Sequence, residues 1–137
     1  MKTSIKYVML LSLFFGIICL SHPSRAGEEK WKYFATGEDR TKHYYDPDSI
    51  VFVSDNIARV WDKTTTSEAS IALTTELKIL REVDFSKRKY RVLVMRVAFR
   101  DGSEKDQSFP NPRWTDIKKN TWMNSLYEIL CKRKDNR

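Results

Sequence analysis

After residue 30, apolar and polar positions alternate with period two in short runs separated by turn residues, the pattern of an antiparallel sheet. "WKYFAT" at 31–36 places Trp31, Tyr33 and Ala35 on one face, and "KHYYD" at 42–46 predicts a second strand. "IVFV" at 50–53 and "NIARVWDKTTT" at 56–66 follow. In the latter, Ile57, Arg59 and Trp61 alternate with Ala58, Val60 and Asp62. "YRVLVMRVAFR" at 90–100 is the clearest strand, with Leu93, Met95, Val97 and Phe99 facing one way. Val92, Val94, Arg96, Ala98 and Arg100 face the other, so the strand is apolar enough on both sides to be central. Residues 67–83, "SEASIALTTELKILREV", fit two periods: Leu73, Leu77 and Leu80 have helical spacing, whereas Leu77, Ile79 and Val83 fit a strand. A strand from about Thr75 is favoured, because "DFSKRKY" then turns into the strand at 90–100.

The turns have a mechanism. Asp46-Pro47-Asp48-Ser49 matches a type I turn, with Asp accepting from the backbone and Pro presetting φ. Ser54-Asp55-Asn56 predicts a second turn in which Asn takes the left-handed region, and Asp101-Gly102 a hairpin with Gly102 at positive φ. "EKDQSF" returns as a short strand, and Pro110 and Pro112 end the ladder for want of N–H donors. The aspartates at 46, 48 and 55 do not form a calcium loop, which would require alternating ligands closed by a Glu, with Gly at the bend. In "NTWMNSLYEILCKRK", Met123, Leu126, Tyr127 and Leu130 recur at i, i+3, i+4 and i+7, an amphipathic helix. Asn120 or Thr121 caps it, and Lys132, Arg133 and Lys134 suit its C-terminal end. The expected fold is α+β: an antiparallel sheet of about six strands with one C-terminal helix packed on it.

The first 26 residues are of another kind. Lys2 and Lys6 precede the apolar run "YVMLLSLFFGIICL" at 7–20, too short to span a bilayer, and Ser24 and Ala26 are the small residues of a cleavage site. Residues 1–26 are expected to be a signal peptide, exporting a single domain of residues 27–137 to the periplasm, the cell surface or the medium. Cys19 follows Ile17 and Ile18 rather than a small residue, which argues against lipidation.

Charge and chemistry then narrow the function. The chain carries 25 basic and 18 acidic residues. The leader removes Lys2, Lys6 and Arg25 and no acid, so the exported domain is only mildly basic. Export argues against nucleic acid, while a weak attraction to anionic surfaces is retained. Cys131 is the only cysteine after residue 26, so no intrachain disulfide forms. His43 is the only histidine there, which leaves little for a histidine metal site or a catalytic triad. A Cys131–His43 dyad is weighed against the commoner role of cysteine as a buried small hydrophobe. Gly27, Gly37 and Gly102 make no phosphate loop. No catalytic residue, cofactor or metal is expected. The candidate contact patch is the turn "SKRKYR" at 86–91, with Lys87, Arg88, Lys89 and Arg91; a solvated hairpin tip that discourages edge pairing is the competing reading.

In their order and spacing, "WKYF", "YYDPDSI" with "IARVW", "LREVDFSKRKYRVL", "FRDGS", "PNPRW" and "SLYEILCK" make residues 31–132 resemble the surface-adhesin protein E-like family of small exported bacterial domains. The resemblance implies an antiparallel sheet with a C-terminal helix. It also implies a disulfide between Cys131 and a cysteine at position 85, where this chain has Phe85. Phe85 then replaces a staple by packing, and Cys131 has lost its partner. The function so implied is an exported, non-enzymatic binding module that contacts a protein of the extracellular matrix or the envelope. A periplasmic inhibitor or assembly factor is the alternative. An exposed edge strand or Cys131 would support a homodimer, and the exported domain has no membrane span.

Overall fold

The computed structural model describes residues 30–65 and 74–137. The signal-peptide reading and the first part of the ambiguous 67–83 stretch lie outside the described residues. Eight strands form one antiparallel sheet. They are β1 (Lys32–Thr36), β2 (Lys42–Tyr45), β3 (Val51–Ser54), β4 (Ile57–Thr65), β5 (Thr74–Asp84), β6 (Lys89–Phe99), β7 (Glu104–Ser108) and β8 (Thr115–Asp116). Helix α1 (Trp122–Asp135) closes the chain. The strand order is β1-β2-β4-β5-β6-β7, with β3 beside one end of β4 and β8 beside one end of β6. The α+β expectation holds, and the disputed segment is a strand from Thr74. The two-residue β8 carries no period and gave no signal in the sequence.

Local chemistry sets the turns. Asp46 Oδ1 accepts from Asp48 N at 3.0 Å and caps a single 3-10 turn at Pro47–Ser49. Gly102 has φ 84°, and its N–H closes on Phe99 O. Asn56, expected in the left-handed region, is not there; the non-glycine residues with positive φ among those described are Arg40, Arg88 and Asn120. Thr121 Oγ1 accepts from Asn124 N at 3.2 Å and caps α1.

Residues paired across neighbouring strands point to the same face of a sheet. On one face lie Ala58, Val60 and Asp62 with their partners Val83, Arg81 and Ile79. Helix α1 packs on this face. Val60, Val83, Ile117, Met123, Leu126 and Leu130 form the buried core, lined by Phe34, Tyr45, Ile50, Phe85, Tyr90, Trp122 and Tyr127. Leu126 and Leu130 are completely buried, and each such side chain contributes roughly 1.5–3 kcal/mol. Two irregularities correct the simple alternation. A register shift after Tyr33 pairs Ala35 with buried His43 while Tyr33 pairs with Tyr44, so Ala35 leaves the face of Tyr33, which stays 56% exposed. A second shift pairs Leu80 with Val94 but Arg81 with Val92, leaving Leu93 as the extra residue. Val92 and Val94, expected on one face, therefore fall on opposite faces.

Candidate functional site

The basic turn does not present its four residues as one patch. Lys87 is exposed at the tip. Arg88 folds back onto the helix: its guanidinium donates to Asn124 Oδ1 and, at 3.3 Å, to Ile117 O, and lies 4.6 Å from the Tyr127 ring. Lys89 pairs with Asp116 at 3.5 Å. Arg91 projects to the face away from the helix, forks onto Glu82 Oε1 at 2.6 and 2.9 Å, and lies 4.4 Å from the Trp114 ring. The sequence places four cations within five positions, but only Lys89 and Arg91, two apart in β6, share a face, and the left-handed φ of 51° at Arg88 turns its side chain back to the helix.

The face away from α1 carries an ordered lattice instead. One row runs Tyr33, Tyr44, Lys63, Lys78, Arg96, Asp106, one residue from each of six strands. A second runs Trp61, Leu80, Val94, Ser108. A third runs Val51, Arg59, Glu82, Arg91. Three cations directly abreast are unfavourable unless matched. Asp106 accepts from Arg96 at 2.7 and 2.8 Å, and that hydrogen bond holds its carboxyl below the usual range. Glu76 and Glu104 bridge the neighbouring cations more loosely, at 3.6–3.8 Å. In the third row, nearly buried Glu82 is clasped by Arg59 and Arg91. Aromatic rings hold the cations in place: Lys63 lies 5.1 Å from Trp31 and 5.4 Å from Tyr44, and Arg96 5.7 Å from Trp61. Between Trp31 and Trp61 opens a concavity of about 290 Å³, edged by Lys30, Asp46, Lys78 and Arg96.

A larger cavity, about 690 Å³, lies between the β1–β2 turn and the start of α1. Its fixed element is His43, 5% exposed, stacked on Trp122 with centroids 4.2 Å apart. His43 Nδ1 meets Thr64 Oγ1 at 3.2 Å, because the two residues are paired in register. Nε2 lies toward Gly37, where an added Cβ would come within 3.2 Å of it and 2.9 Å of Asp39 Oδ1. Burial pulls the His43 imidazole below its ordinary range, and the nearby Arg81 guanidinium adds to this, against the Asp39 carboxylate. The Thr41 hydroxyl and N–H, both bonded to Asp39, hold that carboxyl low. A neutral imidazole and a carboxylate can together offer and accept hydrogen bonds, but the sequence could not reveal this cavity, since its walls come from β1, β2, β4 and α1.

His43 and Cys131 do not form a dyad. His43 stacks on the first residue of α1, and nine residues of helix separate Trp122 from Cys131, about 13 Å along the axis. Cys131 is half-buried and unpaired. Phe85 packs at 6.0 Å from Tyr127 and lies 5.2 Å from Lys134 Nζ, side chains that flank Cys131 on the helix. Among the described residues, no three His, Cys, Asp or Glu side chains gather as a metal group, and no helix is long and apolar enough to cross a membrane. The chain matches no protein-family model and no curated protein.

Proposed function

We propose that the chain is an exported, non-enzymatic binding module that contacts a protein of the extracellular matrix or the envelope through the sheet face opposite α1. The observation that carries this reading is the lattice of Trp31, Tyr33, Tyr44, Trp61 and Trp114 interleaved with Lys63, Arg91 and Arg96 on that face. Tryptophan, tyrosine and arginine are the side chains that concentrate binding energy at protein interfaces. Here their rotamers are already held by stacking and ion pairs, which lowers the entropy lost on binding. The resemblance to the surface-adhesin protein E-like family and the signal-peptide pattern of residues 1–26 support the same reading.

The test pairs location with surface. Expressed in a bacterial host, the chain is expected outside the cytoplasm with a mass that begins at Gly27; retention inside with residue 1–26 intact would remove export from the proposal. Purified protein is then passed over immobilised matrix and envelope proteins alongside Tyr33→Ala and Trp114→Ala, which alter exposed rings only. Loss of capture on either change, with an unchanged melting temperature, is the expected result. Capture that both variants retain would place the contact elsewhere.

A further inference from the structure

A different end of the molecule has a surplus of cations. The C-terminal turn of α1, the turn after β5 and strand β3 meet around two stacked rings, Phe52 and Phe85, 6.3 Å apart. Arg137 lies 3.8 Å over Phe52, and Lys134 lies 5.2 Å over Phe85. Phe85 N donates to Asn56 O at 2.8 Å, which ties the β3–β4 turn to the same end. Lys87, two residues beyond Phe85, and Lys132 and Arg133, in the last turns of α1, are exposed there. Among the described residues, none of Lys87, Lys132, Arg133, Lys134 and Arg137 takes part in an ion pair, in contrast to the cations of the sheet lattice. The acids beside them in the chain are Glu128 and Asp135 on α1 and Asp84 before the turn; Glu128 accepts from Asn124, and Asp84 is nearly buried and already accepts from Ser86 and the Lys87 N–H.

The strand at this end is unusual among the described sheet edges. β7 carries Glu104, Lys105 and Asp106, β8 carries Asp116, and β1 carries Lys32 and a bulge. Charges and bulges of this kind guard an open edge against other chains. β3, "VFVS", has an irregularity between Phe52 and Ser54 but, unlike these strands, no charge, and its Val51 and Val53 are 56% and 49% exposed. Val51 pairs with Arg59 on the face away from α1 and Val53 falls at the irregularity between Phe52 and Ser54, so exposed apolar side chains line the strand edge whose Phe52 carries Arg137 of the cationic cap.

We propose that this end of the molecule docks on an anionic lipid surface, with the β3 edge at the headgroup boundary. Lys87, Lys132, Arg133 and Arg137 reach lipid phosphates, and Val51 and Val53 enter the interface. Each basic residue near such a surface strengthens partition by about fivefold, and the attraction decays within a Debye length. Cations alone would serve equally for a soluble polyanion. The exposed valines favour lipid, because a polyanion offers them nothing to bury against.

Wild-type and variant chains with the same N-terminus, verified by intact mass, are sedimented with vesicles of phosphatidylcholine alone or with about one third phosphatidylglycerol. The wild type is expected to partition at least tenfold more strongly to the anionic vesicles and to lose that preference at high salt. K87Q/K132Q/R133Q/R137Q is expected to lose at least tenfold. The control K42Q/K105Q/K118Q/K119Q removes as many exposed charges from other places and is expected to lose less than twofold. V51S/V53S is expected to weaken vesicle binding severalfold while leaving retention on heparin unchanged. Equal partition to both vesicle types, or an equal loss in the control, overturns the proposal. Heparin retention with V51S/V53S vesicle binding unaltered overturns it in favour of a soluble polyanion. Unchanged circular dichroism and melting temperature accompany each comparison.

Discussion

His43 and Trp122 stack face to face, with centroids 4.2 Å apart and planes 8° from parallel, where the β1–β2 hairpin meets the first turn of α1. The imidazole is thereby buried beside Arg81 and at the positive end of a helix. The neutral form is favoured in the folded state, so the folded pKa lies below the unfolded value of about 6.5. The unfolded chain therefore binds a proton first as pH falls. Stability is full above the unfolded pKa and is lost as pH drops through that value toward the folded one.

The expected outcome is a melting temperature that declines from pH 7.5 to pH 5. His43→Gln should flatten the decline, although its stability at pH 7.5 should also be lower for loss of the stacking. A wild-type curve as flat as that of the variant would show that His43 is not desolvated.

Asp62 and Arg81 form an ion pair beneath the helix, 2.5 Å between Oδ2 and Nε, with both side chains nearly inaccessible. Burial pushes the Asp62 carboxyl up and the Arg81 guanidinium pulls it back. Arg81 also lies 4.9 Å from the Trp122 ring and 5.4 Å from that of Tyr90. Asp62→Ala leaves a buried cation unpaired and should cost about 3–5 kcal/mol. The double change Asp62→Leu with Arg81→Met removes both charges and should cost markedly less. Urea unfolding distinguishes the two; a double variant worse than the single would mean the pair contributes net stability.

Arg88 serves the fold through both its backbone and its side chain. Its φ of 51° is unfavourable for any residue but glycine, and its guanidinium joins Ile117 O to Asn124. Arg88→Ala should lose about 1–3 kcal/mol of stability. Arg88→Gly should recover about 1 kcal/mol of that by relieving the backbone. Denaturant midpoints in the order wild type, glycine, alanine are expected; alanine equal to wild type would make the contacts dispensable.

Phe85 and Cys131 test the resemblance to the surface-adhesin protein E-like family. If Phe85 has replaced a staple, Phe85→Cys should oxidise to an internal bond with Cys131, seen as the loss of two hydrogens in intact mass. Reductant should then destabilise that variant by about 2–4 kcal/mol and leave the wild type unaffected. Two titratable thiols under oxidising conditions would refute the implied pairing.

The helix, the turns at Asp46 and Gly102 and seven of the eight strands were legible because each rests on local chemistry. A period of two or 3.6, a Pro or Gly, a cap at Thr121: such signals need no distant partner. The faces were less legible. Single-residue shifts near Phe34 and Leu93 reverse the alternation, and a bulge leaves no mark in an apolar run. The basic turn was legible as a cluster but not as a surface, since the direction of each side chain depends on strand register and on the backbone of Arg88.

By itself, then, the sequence determined the α+β class, the order of strands along the chain and the amphipathic face of α1, because burial of periodic apolar side chains admits few alternatives. Only the tertiary structure decided which residues meet across strands. The row from Tyr33 to Asp106 spans residues 73 positions apart in the chain, His43 finds Thr64 and Trp122, and Arg137 finds Phe52. Those meetings follow from register, and register is set by the packing of the whole sheet against one helix.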